Sequence, residues 1–167
     1  MALFPSGKGG GEDVDYGYKG KGVTIHFLAE GNGMPLAITT TPASASERGE
    51  VGNLLKQVKV RGKRGKPRSY PKEIHADRGY DSKALRKFLR SKGIRPVIPK
   101  RKWPNAKQPS GPKVATSQSR WTIERAFSWI QRKLRRLVSR WERRTLYWNA
   151  FLSLAIIMIW IDKLIYG

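Results

Sequence analysis

Thirty-four lysines and arginines stand against twelve aspartates and glutamates, a formal net charge of +22 in 167 residues. Any fold of this chain has to tolerate that self-repulsion, and a polyanionic partner converts it into affinity. Nucleic acid is therefore the leading partner class, with an anionic membrane surface second. The length fits a single domain, with or without basic appendages. Hydrophobic residues make up 39% of the chain, including six Trp, six Tyr and five Phe, enough for a packed core and against disorder as the default. There is no cysteine, which excludes a disulfide scaffold, a thiolate zinc centre and a cysteine nucleophile and fits a reducing, cytoplasmic setting.

The N-terminal stretch is Gly-rich and lacks the apolar core of a secretory signal. The membrane-like stretch lies at the other end, Tyr147 to Ile165. Its longest unbroken apolar run is Leu154 to Ile161, with Asn149, Ser153, Asp162 and Lys163 interrupting or bounding it. A spanning helix needs about 20 apolar residues, so a buried core helix is expected here rather than a membrane anchor.

Residues 1–22 read as a Gly-rich lead-in that meets neither a Walker loop nor a dinucleotide fingerprint. From residue 23 to 167 the pattern is that of one domain. VTIHFL (Val23 to Leu28) and MPLAITTT (Met34 to Thr41) predict two strands joined by the Glu30-Gly31-Asn32-Gly33 turn. A helix follows, capped by Ser44 or Ser46, with Glu47 and Glu50 in its first turn and Val51, Leu54, Leu55 and Val58 inward. Lys56 to Arg68 is a basic loop, and Glu73 to Ala76 is a short strand. Ser82 to Lys92 is a helix with Leu85, Phe88 and Leu89 inward, stopped by Gly93. Ile94 to Ile98 is another strand, which Pro96 suits to an edge or entry position. Pro99 to Ser119 is a second basic, Pro-containing loop, its basic part Lys100 to Lys113. Two helices close the chain, Arg120 to Arg144 and Leu146 to Ile165; the first carries Ile123, Phe127, Ile130, Leu134, Leu137 and Trp141 at helical spacing. The order predicts an α/β fold with a mixed sheet flanked by helices.

Two of the scarce carboxylates lack an obvious structural duty. Asp77 stands where a short strand runs out into a Gly-containing turn, and strand ends of open α/β sheets face the site crevice; a turn-capping Asp is the alternative. Glu124 follows Arg120 by four residues on one helix face, where Ser128 and Gln131 continue a polar stripe; a surface ion pair is the alternative. Metal-assisted phosphodiester chemistry needs several carboxylates converging on paired ions, and these two supply part of such a set.

HADRGYDSKALRKFLRSKGIRPVIP (His75 to Pro99) and RWTIERAFSWIQRKLRRLVSRWERR (Arg120 to Arg144) closely resemble the catalytic domain of bacterial insertion-sequence transposases of the DDE type, in the IS-five-like group of the IS-four superfamily. Lys19 to Arg48 looks like that family's hairpin and first helix. The resemblance implies a ribonuclease H-like fold, DNA transposition, and an Asp-Asp-Glu triad binding two Mg²⁺ (or Mn²⁺) ions. Asp77 matches the second Asp, Glu124 the Glu, and Arg120 the Arg preceding that Glu by four. The family pattern also expects a Tyr three before that Arg and a Lys seven after the Glu; Ser117 and Gln131 occupy those positions.

The first Asp of relatives lies on the first central strand, just ahead of the Gly-rich stretch. Matching Ser6 to Glu12 to that stretch puts it at or just before Met1, while Asp13 and Asp15 fall too late. The chain is therefore expected to be the downstream portion of a transposase, lacking the first central strand, inactive alone and completed by an upstream segment that supplies this Asp. Arg132, Lys133, Arg135 and Arg136, with Arg140, Arg143 and Arg144, are expected to extend the Glu124 helix as a basic face. With Arg120 they are the expected contacts to double-stranded DNA, at transposon ends and target. The alternative function is a non-catalytic basic DNA-binding protein; a basic membrane-associated protein is a third reading. Oligomers are compatible with either DNA-acting role.

Overall fold

The computed structural model describes residues 2–59, 70–100 and 116–166. For residues 116–120 only the backbone is described. The basic loops predicted over Lys56 to Arg68 and Pro99 to Ser119 lie largely outside the described residues, except that the helix expected from Arg120 already begins at Thr116, inside the second of them.

The elements run β1 (Ala2–Leu3), β2 (Asp15–Gly17), β3 (Gly20–Ala29), β4 (Pro35–Pro42), α1 (Glu50–Gln57), β5 (Glu73–His75), a 3-10 turn (Arg78–Tyr80), α2 (Lys83–Ser91), β6 (Arg95–Val97), α3 (Thr116–Lys133), a second 3-10 turn (Arg135–Val138) and α4 (Thr145–Tyr166). The α/β class holds. The ladders form two sheets rather than one: an antiparallel four-stranded sheet and a parallel pair, β5–β6. β3 is central to the first, with β1 on one edge and β2 and β4 in succession on the other. At two residues, β1 carries that ladder no further.

The predicted hairpin forms because the Glu30–Met34 turn closes on itself. Gly33 donates to the Glu30 carbonyl at 2.9 Å, and the Glu30 carboxylate accepts from the Asn32 amide at 2.9 Å. The left-handed position is Gly33, at φ +94. A Cβ there would stand 2.8 Å from Thr122 Cγ2, so this glycine also lets α3 approach the turn. α1 starts later than predicted, at Glu50, with Gly49 as an N-cap that has no side-chain bond. Ser44 is engaged elsewhere, donating to Asp15 Oδ2 at 2.5 Å. In α2, Ser82 caps the Leu85 amide at 3.2 Å and Leu85 and Leu89 are buried as expected, whereas Phe88 is at the surface.

β3 is buried on both faces over residues 23–27, which explains its lack of polar alternation. Val23, Ile25 and Phe27 pack with Phe127 and Ile130 of α3 and Trp148, Leu152, Ala155 and Ile159 of α4. Leu28 joins the clusters formed by Val51, Leu54 and Leu55 of α1 and the β5–α2–β6 unit. Helices thus cover both faces of the antiparallel sheet, with the parallel unit lying on the α1 side. α4 is long and apolar enough to cross a membrane by length and composition, yet one of its faces is core, as predicted, and the other is exposed.

The continuous helix predicted from Arg120 to Arg144 is not observed. α3 ends at Lys133, Leu134 is extended at φ −129 and ψ 92, and residues 139–144 contain no helix. The cause is the Gly-rich lead-in, which pairs with this segment. Arg140 donates to the Ser6 carbonyl at 2.8 Å, Gly9 to the Arg140 carbonyl at 3.3 Å and Glu12 to the Arg143 carbonyl at 2.8 Å. A Cβ on Gly9 or Gly11 would lie 2.3 Å from the Trp141 or Arg143 carbonyl oxygen. Glycines allow this backbone approach, and the paired carbonyls are no longer available to a helical ladder. Trp141, expected inward, is 57% exposed.

His26 on β3 is fully buried, with Nε2 2.8 Å from Thr41 Oγ1. Burial pushes its pKa down to about 4, against an opposing field from Glu50. The neutral ring is therefore the folded form, and protons favour the unfolded chain once the pH drops below about 6.5. Unfolding free energy is expected to fall by about 2 kcal/mol between pH 7 and pH 5. In His26→Gln, urea titrations across that window should find most of this slope gone.

Candidate active site

Glu124 projects from the middle of α3 into an open groove of about 430 Å³; Ala2, Leu3 and Phe4 of the N-terminal strand segment and Lys19 of the β2–β3 turn line it with Phe127, Ser128 and Gln131. The polar stripe expected at Glu124, Ser128 and Gln131 is thus one side of this groove. A second depression of about 640 Å³ shares Ser128 and Gln131 and continues to Arg132, Arg135 and Val138. Lys19 stands at the Glu124 end of this path and Arg132 and Arg135 at the other. The surface combines one carboxylate with three cations and two hydrogen-bonding side chains. Its chemistry suits a phosphodiester backbone: cations for phosphate oxygens, amide and hydroxyl groups for sugar and phosphate.

α3 is held in place by a residue the sequence reading did not single out. The Arg125 guanidinium lies between the Trp121 and Trp129 rings, 4.4 and 4.9 Å from their centroids, and donates to the Asn32 carbonyl at 2.9 Å. Stacking by Arg on two aromatics one turn away on either side ties the Glu124 turn of the helix to the β3–β4 hairpin. The W-x₃-R-x₃-W spacing was the available signal.

Asp77 lies at the end of β5, as predicted, and caps the following 3-10 turn: its Oδ1 accepts from the Gly79 amide at 2.8 Å. Arg48 of the segment before α1 donates to the Gly79 carbonyl at 2.9 Å. Tyr80, packed beneath this turn, has its hydroxyl pKa raised by burial and by the charges of Glu47 and Asp77. The turn-capping alternative for Asp77 is therefore realised in the geometry, alongside its strand-end position.

The other acidic residues of the lead-in are engaged structurally. Glu12 Oε2 accepts from the Thr145 amide at 2.9 Å, capping α4, and Asp13 Oδ2 accepts from the Thr145 hydroxyl at 2.6 Å. Among the described residues no three His, Cys, Asp or Glu side chains are brought together in a way that could hold a metal ion. Paired ions about 3.5–4 Å apart require such convergence, so Asp77 and Glu124 as described do not by themselves form the two-metal site that the resemblance implies.

The predicted basic face is distributed rather than continuous. Arg132 and Arg135 line the groove, Lys133 pairs with Asp162 of α4 and Arg136 pairs with Glu142. Glu142 is nearly buried; burial alone would raise its pKa, but the Arg136 bond and backbone donors outweigh that and lower it. Arg140 is inside the protein. Arg120 and Ser117 fall within α3, where only the backbone is described.

The family model for the transposase DDE domain matches residues 5–160. A Burkholderia cepacia protein assigned as a transposase for insertion sequence element IS402 is 38% identical over 135 residues, which is 80% of this chain and 60% of that protein. The chain thus spans about three-fifths of the length of this relative. No solved structure matches it.

Proposed function

The chain belongs to the transposase DDE domain family, and we propose that it supplies the catalytic portion of an enzyme of DNA transposition. The two sequence blocks around Asp77 and Glu124 fit the IS-five-like group, with a ribonuclease H-like arrangement of the sheet. One observation carries this reading: Glu124 faces a groove walled by β1 and continued by Arg132 and Arg135. In this role Lys19, Arg132 and Arg135 hold phosphate oxygens of the strand to be cut, and Ser128 and Gln131 bond to its sugar-phosphate edge. Arg125, fixed between Trp121 and Trp129, keeps Glu124 turned toward that strand. Glu124 lines this groove; Asp77, which is not among its lining residues, joins the site on the family's Asp-Asp-Glu pattern, whose remaining Asp would be a third carboxylate. Divalent cations, Mg²⁺ or Mn²⁺, belong to the chemistry of the completed set.

The DNA contact is expected to be electrostatic. Log K should fall steeply with log salt, by about 0.9 per phosphate neutralised on duplex DNA. The double variant Arg132→Ala/Arg135→Ala should reduce that slope by about 2. Lys133→Ala and Arg136→Ala, whose side chains pair with Asp162 and Glu142, should change it less. Fluorescence anisotropy from 50 to 300 mM salt reads both effects. A flat salt response contradicts the groove as a phosphate path.

A non-catalytic basic DNA-binding role is the second reading, favoured by the absence of a three-carboxylate cluster among the described residues. The two separate on cleavage. In a version of the protein carrying the third carboxylate, Asp77→Asn and Glu124→Gln should abolish strand cutting and leave DNA affinity nearly intact.

A further inference from the structure

α4 carries two apolar faces on opposite sides, and only one of them is used within the chain. Trp148, Leu152, Ala155 and Ile159 fill the core. On the far side, Tyr147, Ala150, Leu154, Ile157, Ile161 and Leu164 recur at intervals of 3, 4, 3, 4 and 3 residues, and all six are exposed. That alternation is the a/d seam of a helix pair packed knobs-into-holes. It runs about 26 Å along the helix at 1.5 Å per residue.

We propose that this seam is a self-association surface and that its occupant is α4 of a second copy of this chain. The area is suitable. The five large seam residues are 45% to 78% exposed; with their flanking neighbours Leu146 and Ile165 they leave on the order of 700 Å² per copy in water, close to the ~800 Å² per partner of a stable interface. The charge is suitable too. In a chain of net charge +22, a surface on which two copies meet has to be neutral, and α4 carries one acid and one base, Asp162 and Lys163, with Asp162 already paired to Lys133. A nucleic acid has nothing to bind on such a face. A membrane-surface helix carries Lys and Arg along its polar side, and α4 lacks them.

The absence of cysteine makes the test direct. Sedimentation of the nuclease-treated 167-residue chain in high salt, at tens of micromolar, should give twice the 19.0 kDa chain mass. Leu154→Glu/Ile157→Glu should give the monomer with unchanged far-ultraviolet circular dichroism, and Lys163→Glu should stay dimeric. Leu154→Cys and Ile157→Cys sit at the centre of the seam. Mixed and oxidised, they should yield covalent dimers whichever way the helices run, whereas Ser91→Cys on α2 should not; this holds as evidence even if the double Glu variant fails to fold. A monomeric wild-type chain overturns the proposal. So does a dimer that survives the Glu pair without seam cross-links, or a monomer that floats with anionic vesicles and resists salt extraction.

Discussion

Arg140→Met is expected to lower the unfolding free energy by about 3–5 kcal/mol, the cost of removing one member of a buried charge set. Arg140 is 0% exposed. Its Nε donates to the Glu142 carbonyl at 2.9 Å, Nη2 to the Thr145 hydroxyl at 3.1 Å, and the guanidinium lies 5.8 Å from the Trp148 ring centroid. Burial depresses its pKa, and the charges of Asp13, Glu142 and Glu12 act in the other direction. Methionine keeps most of the stem volume, but it removes the buried cation that attracts Glu142, which is nearly buried and keeps Arg136, and the exposed Glu12 and Asp13. It also loosens the junction at which the glycine run, the segment after α3 and the start of α4 meet. Arg136→Met removes a more exposed partner of Glu142 and should cost about 1 kcal/mol or less. Urea unfolding at pH 7 separates the two, and a loss below about 1 kcal/mol for Arg140→Met would mean that the acidic residues manage without it.

This junction also marks where the sequence stopped being legible. Local signals located the hairpin, α2 with its Ser82 cap and Gly93 stop, the β5–β6 strands and α4, because turn glycines, caps and apolar spacing act within a few residues. They failed after Lys133. Leu134, Leu137 and Trp141 keep helical spacing, yet the backbone at Arg140 and Arg143 is paired with Ser6, Gly9 and Glu12, more than 120 residues away in the chain. No local pattern encodes a partner at that distance. The same contact gives the glycine run a purpose that a search for phosphate loops could not find. At the site, the strand-end position of Asp77 and the polar stripe of Glu124, Ser128 and Gln131 were readable from spacing. The Asp77 bond to Gly79, the burial of Arg140 and the Arg125 stack depend on the completed packing. Spacing placed Arg132 and Arg135 on one basic face with Lys133, Arg136 and Arg140; tertiary ion pairs and burial then set the latter three apart from the groove.

The central claim is that Asp77 and Glu124 act together on DNA and need a carboxylate that the described residues do not bring to them. The most direct measurement is Mg²⁺-dependent strand cleavage of labelled DNA by the 167-residue chain, alone and extended at its N-terminus by a strand bearing an aspartate next to β1. The chain alone should bind DNA without cutting it. The extended protein should cut, and Asp77→Asn, Glu124→Gln or loss of the added aspartate should each slow cleavage by about 1,000-fold, roughly 4 kcal/mol of transition-state stabilisation, with affinity unchanged within about twofold. Robust cleavage by the chain alone, or cutting by the extended protein that is indifferent to Asp77 and Glu124, would contradict the assignment.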